Sequence, residues 1–378
     1  MKLQPIVALD IGSTKVACAI GLPREDASGC EFVGSSLIPY PTPSQMWPPD
    51  PLTVSRTIEQ ALEATAVSGV LSRALVALTH PSLSSERIRT GIPLGDEPMT
   101  VRVQDLDRLQ ASALHQALAI DREPLLVERL ACAGNGFDGI RDPRGLPATR
   151  LSGTFHILTI PMAARRMVIQ AVESVGLEVV RLTYSLPATL AGMADERVAQ
   201  QRVLLIDVGG LTTDVGLFVE GMLQSAHVVA WGGLTLAIAI AKELRVTMPQ
   251  ALAWSLEGTN CHKGQIRVLI ERHWESLREA VERLLNDQPH PDAVLLGGRG
   301  ALIDGFAEWV ERTVGMTARL CRSPRTNQLS DLPRQLGLCS AIGLLEMFTR
   351  QASLSRVRSA RLFDRVIDRT RAVLTEYF

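Results

Sequence analysis

The sequence predicts an α/β fold of two duplicated halves with two lobes, and a small α+β unit inserted in the first half. Three observations carry this. An apolar run ending in Asp, then Gly and small hydroxyl residues, then a second apolar run occurs twice: residues 6–9 lead into Asp10-Ile-Gly-Ser-Thr-Lys15, and residues 203–206 into Asp207-Val-Gly-Gly-Leu-Thr-Thr-Asp214. The two copies lie too far apart for a solenoid, so they mark related halves. A third buried run, 293–296, meets Gly297-Gly298. Residues 83–160 differ from both halves, with short alternating segments, a charged helix near 104–119 and Gly/Pro punctuation from Gly134 to Pro147. That mixture reads as a small α+β unit.

A chain of 378 residues forms two or more packed units. Apolar residues at 46% and charged residues at 21% fit a soluble globular protein. A formal charge of −1 gives no whole-chain attraction to nucleic acid, and 4% aromatics leave little for base stacking. Cys18, Cys30, Cys132, Cys261, Cys321 and Cys339 are scattered without a CxxC, which reads as buried thiols in a reducing compartment. No run reaches the ~20 apolar residues that cross a bilayer, and the first strand-like run begins by Ile6, leaving no room for a signal peptide. The expected location is cytoplasmic.

Along the chain, residues 5–22 read as strand, turn, strand. The prolines from Pro39 to Pro51 lack backbone donors and read as a surface loop. Helices are expected over 52–68, 162–175 (stopped by Gly176), 187–194, 301–314 and 336–349, with 234–287 helix-rich. Strands are expected over 74–78 and 177–182. From Leu354 to Phe378 an apolar stripe that includes Leu362, Phe363, Val366, Ile367, Leu374 and Phe378 alternates with Arg356, Arg358, Arg361, Arg365, Arg369 and Arg371. A basic face opposite Leu, Phe and Tyr is the composition of a helix lying in a membrane interface, the alternative being a terminal helix docked on the protein's own core.

The repeated hairpin has a chemistry. Glycines let backbone N–H groups approach phosphate oxygens, and hydroxyls add donors. The Asp stands where it can hold a cation, usually through water, because Mg²⁺ dehydrates reluctantly. Two such hairpins face to face would clamp a triphosphate, and a glycine pair at a strand end would admit a flat base or ribose.

These motifs, in this order, resemble the actin-like (ribonuclease H-like) superfamily. The resemblance implies ATP and Mg²⁺ as cofactors. It assigns Asp10, Gly12, Ser13, Thr14 and Lys15 to the first phosphate loop, and Asp207, Gly209, Gly210, Thr212 and Thr213 to the second. Gly297, Gly298 and Arg299 fall in the adenosine motif, and Asp10 and Asp207 beside the metal. Segments 185–196 and 336–349 resemble the two connecting helices of that fold. Within the superfamily, Phe137-Asp-Gly-Ile-Arg-Asp-Pro-Arg-Gly-Leu-Pro-Ala-Thr-Arg-Leu151, followed by His156-Ile-Leu-Thr, is similar to the FtsA family of bacterial cell-division proteins.

That family implies subdomain 1A at 1–82 and 161–200, and inserted subdomain 1C at 83–160. Subdomain 2A follows at 201–226 and 288–350, 2B at 227–287, and a C-terminal amphipathic helix at 351–378. It implies filaments whose head-to-tail contacts use a 1C unit standing off the first half. It also implies peripheral attachment to lipid on the inner face of the cell membrane, and a grip on the C-terminal tail of FtsZ. Lys242, Arg245, Arg267 and Arg272 are the candidate tail contacts. Leu211 stands where a third glycine is usual, Ile238 where an Asp is common, and 250–258 lacks the Glu/Lys pair that borders adenine. Slow or absent hydrolysis is therefore expected, and no catalytic residue is assigned. The alternatives are PilM, the actin-like platform of type IV pilus machines, and a sugar kinase. Segment 137–151 argues against the first. The second lacks an acidic residue in the context a catalytic base needs.

Overall fold

Both hairpins form, and each seeds a five-stranded sheet. The computed structural model describes residues 4–354 apart from 25–29, 42–45, 48, 194, 258–262, 287, 321, 327 and 330. The first sheet holds β1 (Ile6–Ile11), β2 (Lys15–Pro23), β3 (Cys30–Pro39), β4 (Arg73–Leu78) and β11 (Glu178–Tyr184), in the order β11-β4-β1-β2-β3. The second holds β12 (Arg202–Val208), β13 (Thr213–Val219), β14 (Met222–Val229), β15 (Ala293–Gly297) and β16 (Ala318–Leu320), in the order β14-β13-β12-β15-β16. Each is an antiparallel three-strand meander extended by two parallel strands. The central strands β1 and β12 are apolar almost throughout because both faces of each sheet are covered.

Helices cover these faces. In the first half they are α1 (Pro51–Ala64), α3 (Met162–Glu173), α4 (Ser185–Met193) and α5 (Glu196–Ala199). Asp50 caps α1, accepting from the Thr53 N–H at 3.0 Å, with Pro51 pre-set for the first turn. In the second half, α6 (Gly233–Leu244), α7 (Met248–Glu257) and α8 (Lys263–Leu285) pack around Trp231, Trp274 and Phe306, joined by α9 (Phe306–Val314). Then come α10 (Leu332–Gly337) and α11 (Cys339–Leu354). Helices α4 and α11 cross at bare backbone. A Cβ at Gly343 would enter the Ala188 carbonyl, and one at Gly192 the Cys339 carbonyl. Only glycine permits so close an approach.

The inserted unit is a sheet of β5 (Ser84–Pro93), β10 (Arg150–Pro161), β7 (Arg122–Gly134) and β8 (Phe137–Ile140), in that order. A two-residue pair, β6 (Met99–Thr100) with β9 (Pro147–Ala148), accompanies it. Helix α2 (Val103–Ala117) lies on one face and seals a core of Leu106, Leu109, Leu151, Phe155 and Ile157. The unit does not simply stand off the first half, because it also grips the second. His156 Nδ1 lies 3.1 Å from the Leu223 carbonyl on β14, Arg87 donates to the Gln224 carbonyl at 3.3 Å, and Arg141 pairs with Glu220 at 2.7 Å. A carbonyl only accepts, so Nδ1 carries the imidazole proton and Nε2 accepts from Ser85 Oγ at 2.7 Å. Burial pushes His156 down to about 4, so it is neutral at pH 7.

Two readings change. The proline segment is not all surface loop: strand β3 runs up to Pro39, and Tyr40 is buried in the first half's core, its backbone N–H bonded to Thr14 O at 3.0 Å. The helix read over 301–314 begins only at Phe306, because Gly305 takes φ 76° after a short 3₁₀ turn over 299–302. The helix expected beyond 354, with Leu362, Phe363, Val366, Ile367, Leu374 and Phe378, lies outside the described residues. Among those described, no helix is long and apolar enough to cross a membrane.

Candidate functional site

The two turns are built alike. The Gly12 N–H donates to Lys15 O at 3.0 Å and the Gly209 N–H to Thr212 O at 2.9 Å, each closing a four-residue loop between paired strands. In this register Asp207 matches Asp10, Leu211 matches Thr14 and Asp214 matches Ala17. The hairpin tips touch. The Leu211 N–H donates to Ser13 Oγ at 3.1 Å, and a Cβ on Gly210 would strike Thr14. The start of α6 docks on the second turn, with the Gly233 and Leu234 N–H groups donating to Gly209 and Gly210 carbonyls at 2.9 and 2.8 Å.

Between the tips and the second half's helices lies a cavity of about 440 Å³, within the usual size range of ligand pockets. One end is polar, lined by Asp10, Lys15, Asp207 and Asp214; the other is apolar, lined by Leu252, Leu256, Leu302, Ile303 and Leu336. Gly298 sits between them at φ 74°, so close to Val208 O and the Asp207 carboxylate that a Cβ could not fit. Of the residues picked out from the sequence, Asp10, Gly12, Ser13, Thr14, Lys15, Asp207, Gly209, Gly210, Thr212, Gly298 and Arg299 line the cavity. Thr213 and Gly297 do not. The Thr213 hydroxyl is spent on the Trp231 carbonyl at 2.9 Å, and Gly297 is still within β15, packed on Thr189.

The electrostatics are those of acids taken out of water. Burial drives Asp207 up to about 6 and the Asp10 charge adds to this, while the Thr189 hydroxyl, donating at 2.7 Å, and Lys15 pull it back. Burial drives Asp214 up to about 8, against the Tyr184 hydroxyl donating at 2.7 Å. Lys15 pairs with Asp10, which also accepts from Ser185 Oγ at 3.2 Å. Close carboxylates at raised pKa are a donor set that a cation relieves. No cluster of three or more His, Cys, Asp or Glu able to cage a metal exists among the described residues. The set therefore fits an ion held by one or two carboxylates, waters and a ligand's own oxygens.

The sequence did not disclose Asp214, Tyr184, Thr189, Ser340 or Tyr40 as part of this site. Asp214 ends the second motif, directly after the hydroxyl pair Thr212-Thr213. Thr189 and Ser340, whose hydroxyls meet at 2.8 Å, stand on apolar helices and look like core residues until the fold brings them under Asp207. The buried Tyr40 hydroxyl has no hydrogen-bond partner among the described residues.

A second, smaller groove of about 230 Å³ lies among α7, α8 and α9, lined by Trp254, Ile270 and Trp274 with Arg267, Glu271 and Arg312 on its charged walls. Of the four cations suggested for a partner, Arg267 lines it, paired with Glu271 at 3.1 Å. Lys242, Arg245 and Arg272 are exposed but outside it.

Solved structures with this architecture include the PilM-PilN type IV pilus biogenesis complex, at TM-score 0.70 and 16% identity, covering 91% of this chain and 98% of that one. MreB 5 of Spiroplasma citri bound to AMPPNP follows at TM-score 0.54 and 13% identity, covering 94% and 98%. Residues 81–159 match the SHS2 domain inserted in FtsA. The likeness to FtsA extends well beyond that unit. Cell division protein FtsA of Pseudomonas aeruginosa is 24% identical over 90% of this chain and 88% of its own length. FtsA of Rhizobium meliloti is 25% identical over 90% and 86%. The FtsA-like unit at 81–159 is the sheet and helix that grip β14 through His156 and Arg87.

Proposed function

We propose that this FtsA-like chain binds ATP with Mg²⁺ between its two hairpins and uses the bound state to set a self-associating scaffold on the inner face of the cell membrane. There it holds the C-terminal tail of FtsZ for bacterial cell division. The observation that carries the nucleotide reading is the closure of two Asp–Gly hairpins, with Asp10 and Asp207, on one cavity whose other end is apolar. Asp10 and Asp207 hold the metal through water. Backbone donors at Ser13 and Thr14 and at Gly210 and Thr212 take phosphate oxygens, and the nucleoside lies over Gly298 toward Leu302 and Leu336. When bound, the metal offsets phosphate charge. The FtsA relatives and the AMPPNP-bound MreB support this reading.

Turnover is slow in this reading, because the Leu211 amide, a natural phosphate donor, is already spent on Ser13. The groove between α7 and α9 is the seat of the tail, with Arg267 and Arg312 meeting its acidic groups. Head-to-tail contacts that do not close generate filaments, and the inserted unit supplies one side of them. The likeness to PilM favours a second reading, a pilus platform that would bind a different short tail in a comparable place. Co-sedimentation with anionic vesicles, comparing the full chain with one ending at Gln351, tests the membrane role. Titration of an FtsZ tail peptide into wild type and Arg267→Glu tests the partner. Equal vesicle binding by both chains would remove the anchor at 362–378. A peptide indifferent to Arg267→Glu would move FtsZ elsewhere and favour the platform.

A further inference from the structure

Five charged side chains line the main cavity, and four are held. Lys15 and Asp10 pair with each other, Asp207 accepts from Thr189, and Asp214 accepts from Tyr184. Arg299 is the exception. It follows Gly298 at the end of β15 and reaches the first half, where its one hydrogen bond among the described residues is a long 3.5 Å contact to Thr14 Oγ1 at the hairpin tip. No carboxylate described in the structure lies within ion-pair reach of it; Asp331 acts only through its field. Burial lowers its pKa, yet a guanidinium keeps its proton in proteins, so the charge stays. Its remaining donors open onto the cavity rather than being buried, so they are free to meet an anion.

We propose that Arg299 is the anion anchor of this cleft: its guanidinium takes phosphate oxygens of the nucleotide, and by spanning from the second half to Thr14 it makes closure of the two lobes depend on phosphate. This rests on the nucleotide reading and reassigns Arg299 from the adenosine to the phosphates. The placement supports it. The Arg299 head reaches Thr14 at the phosphate-loop tip, while its stem lies against Gly337, next to the apolar lining residue Leu336. The other cavity cation, Lys15, is already engaged by Asp10, which leaves Arg299 as the cation able to receive an incoming anion without first breaking a pair. Planar bidentate capture of phosphate is what arginine does better than lysine.

The test is calorimetric titration of Mg-ADP, Mg-ATP, inorganic pyrophosphate and adenosine into wild type, Arg299→Gln and Arg299→Lys, with the ligand-free melting temperature of each. Arg299→Gln should weaken Mg-ADP, Mg-ATP and pyrophosphate by about 10- to 100-fold, the size of lost charge-assisted bonds, and leave adenosine unchanged. Arg299→Lys should fall between. Removing an unmet charge should leave the ligand-free melting temperature of Arg299→Gln equal to or above wild type. Nucleotide affinity within about twofold of wild type in Arg299→Gln would overturn the proposal while leaving the nucleotide reading intact. So would a lower ligand-free melting temperature with adenosine weakened in step, since that marks a packing role. Arg299-dependent binding of pyrophosphate by a wild type that binds no adenine nucleotide would keep the anchor and remove the nucleotide reading.

Discussion

Asp207 and Asp214 are carboxyls whose protons the fold retains, at about 6 and about 8. Retained protons have a sign. A folded pKa above the unfolded value gives stability that is full below about pH 4 and lost as pH rises through the folded pKa. A metal needs the opposite state, the bare carboxylate. Mg-ATP affinity should therefore tighten as pH rises from about 6 to about 8, and calorimetry at three pH values checks it. Asp207→Asn should flatten the lower part of that rise. A second residue-scale expectation concerns the tip contact: Leu211→Gly should raise ATP affinity or turnover by loosening the Leu211–Ser13 bond, read in a phosphate-release assay. Sequence alone disclosed Asp10 and Asp207 because an acid before Gly and hydroxyls is a local pattern. Asp214 and Thr189 stayed hidden because their role exists only where strand register and helix crossing bring them against Asp207.

Among the elements, the α4–α11 crossing has no slack. Gly343→Ala would force a methyl group into the Ala188 carbonyl, so the helices must part. Overpacking of this kind costs about 1–3 kcal/mol, measurable by urea unfolding. The sequence marked both helices by their apolar runs but gave no sign that two glycines set their distance, since that depends on a partner far along the chain. At the edge of the inserted sheet, His156 is held neutral between Ser85 and Leu223. A histidine with a depressed folded pKa loses stability as pH falls below its unfolded value. From about 6.5 to about 4 the loss should approach about 3 kcal/mol at 1.36 kcal/mol per unit. His156→Gln should remove that slope between pH 6.5 and 4, read as the difference from wild type in chemical unfolding. The insert itself was visible as a break in pattern at 83–160. Its grip on the second half was not, because Glu220, Leu223 and Gln224 lie in an ordinary hairpin.

At the scale of the whole molecule, the duplication ties the cleft to the insert. Strand β13 starts beside Asp214 in the cavity and runs to the β13–β14 turn that Arg141, His156 and Arg87 hold. Deleting 84–160 should uncover that edge and abolish polymers while leaving nucleotide binding partly intact, as electron microscopy and thermal shift would report. The measurement that reaches the centre most directly is calorimetric titration of Mg-ATP into the full chain and into Asp207→Ala. The expected result is saturable one-to-one binding by wild type, with a thermal shift worth about 2.7 kcal/mol at 100 times Kd, weakened at least about tenfold in Asp207→Ala. The contradicting result is an absence of heat and thermal shift in wild type at millimolar Mg-ATP, or equal affinity in both proteins, which would mean that the two hairpins do not close on a nucleotide.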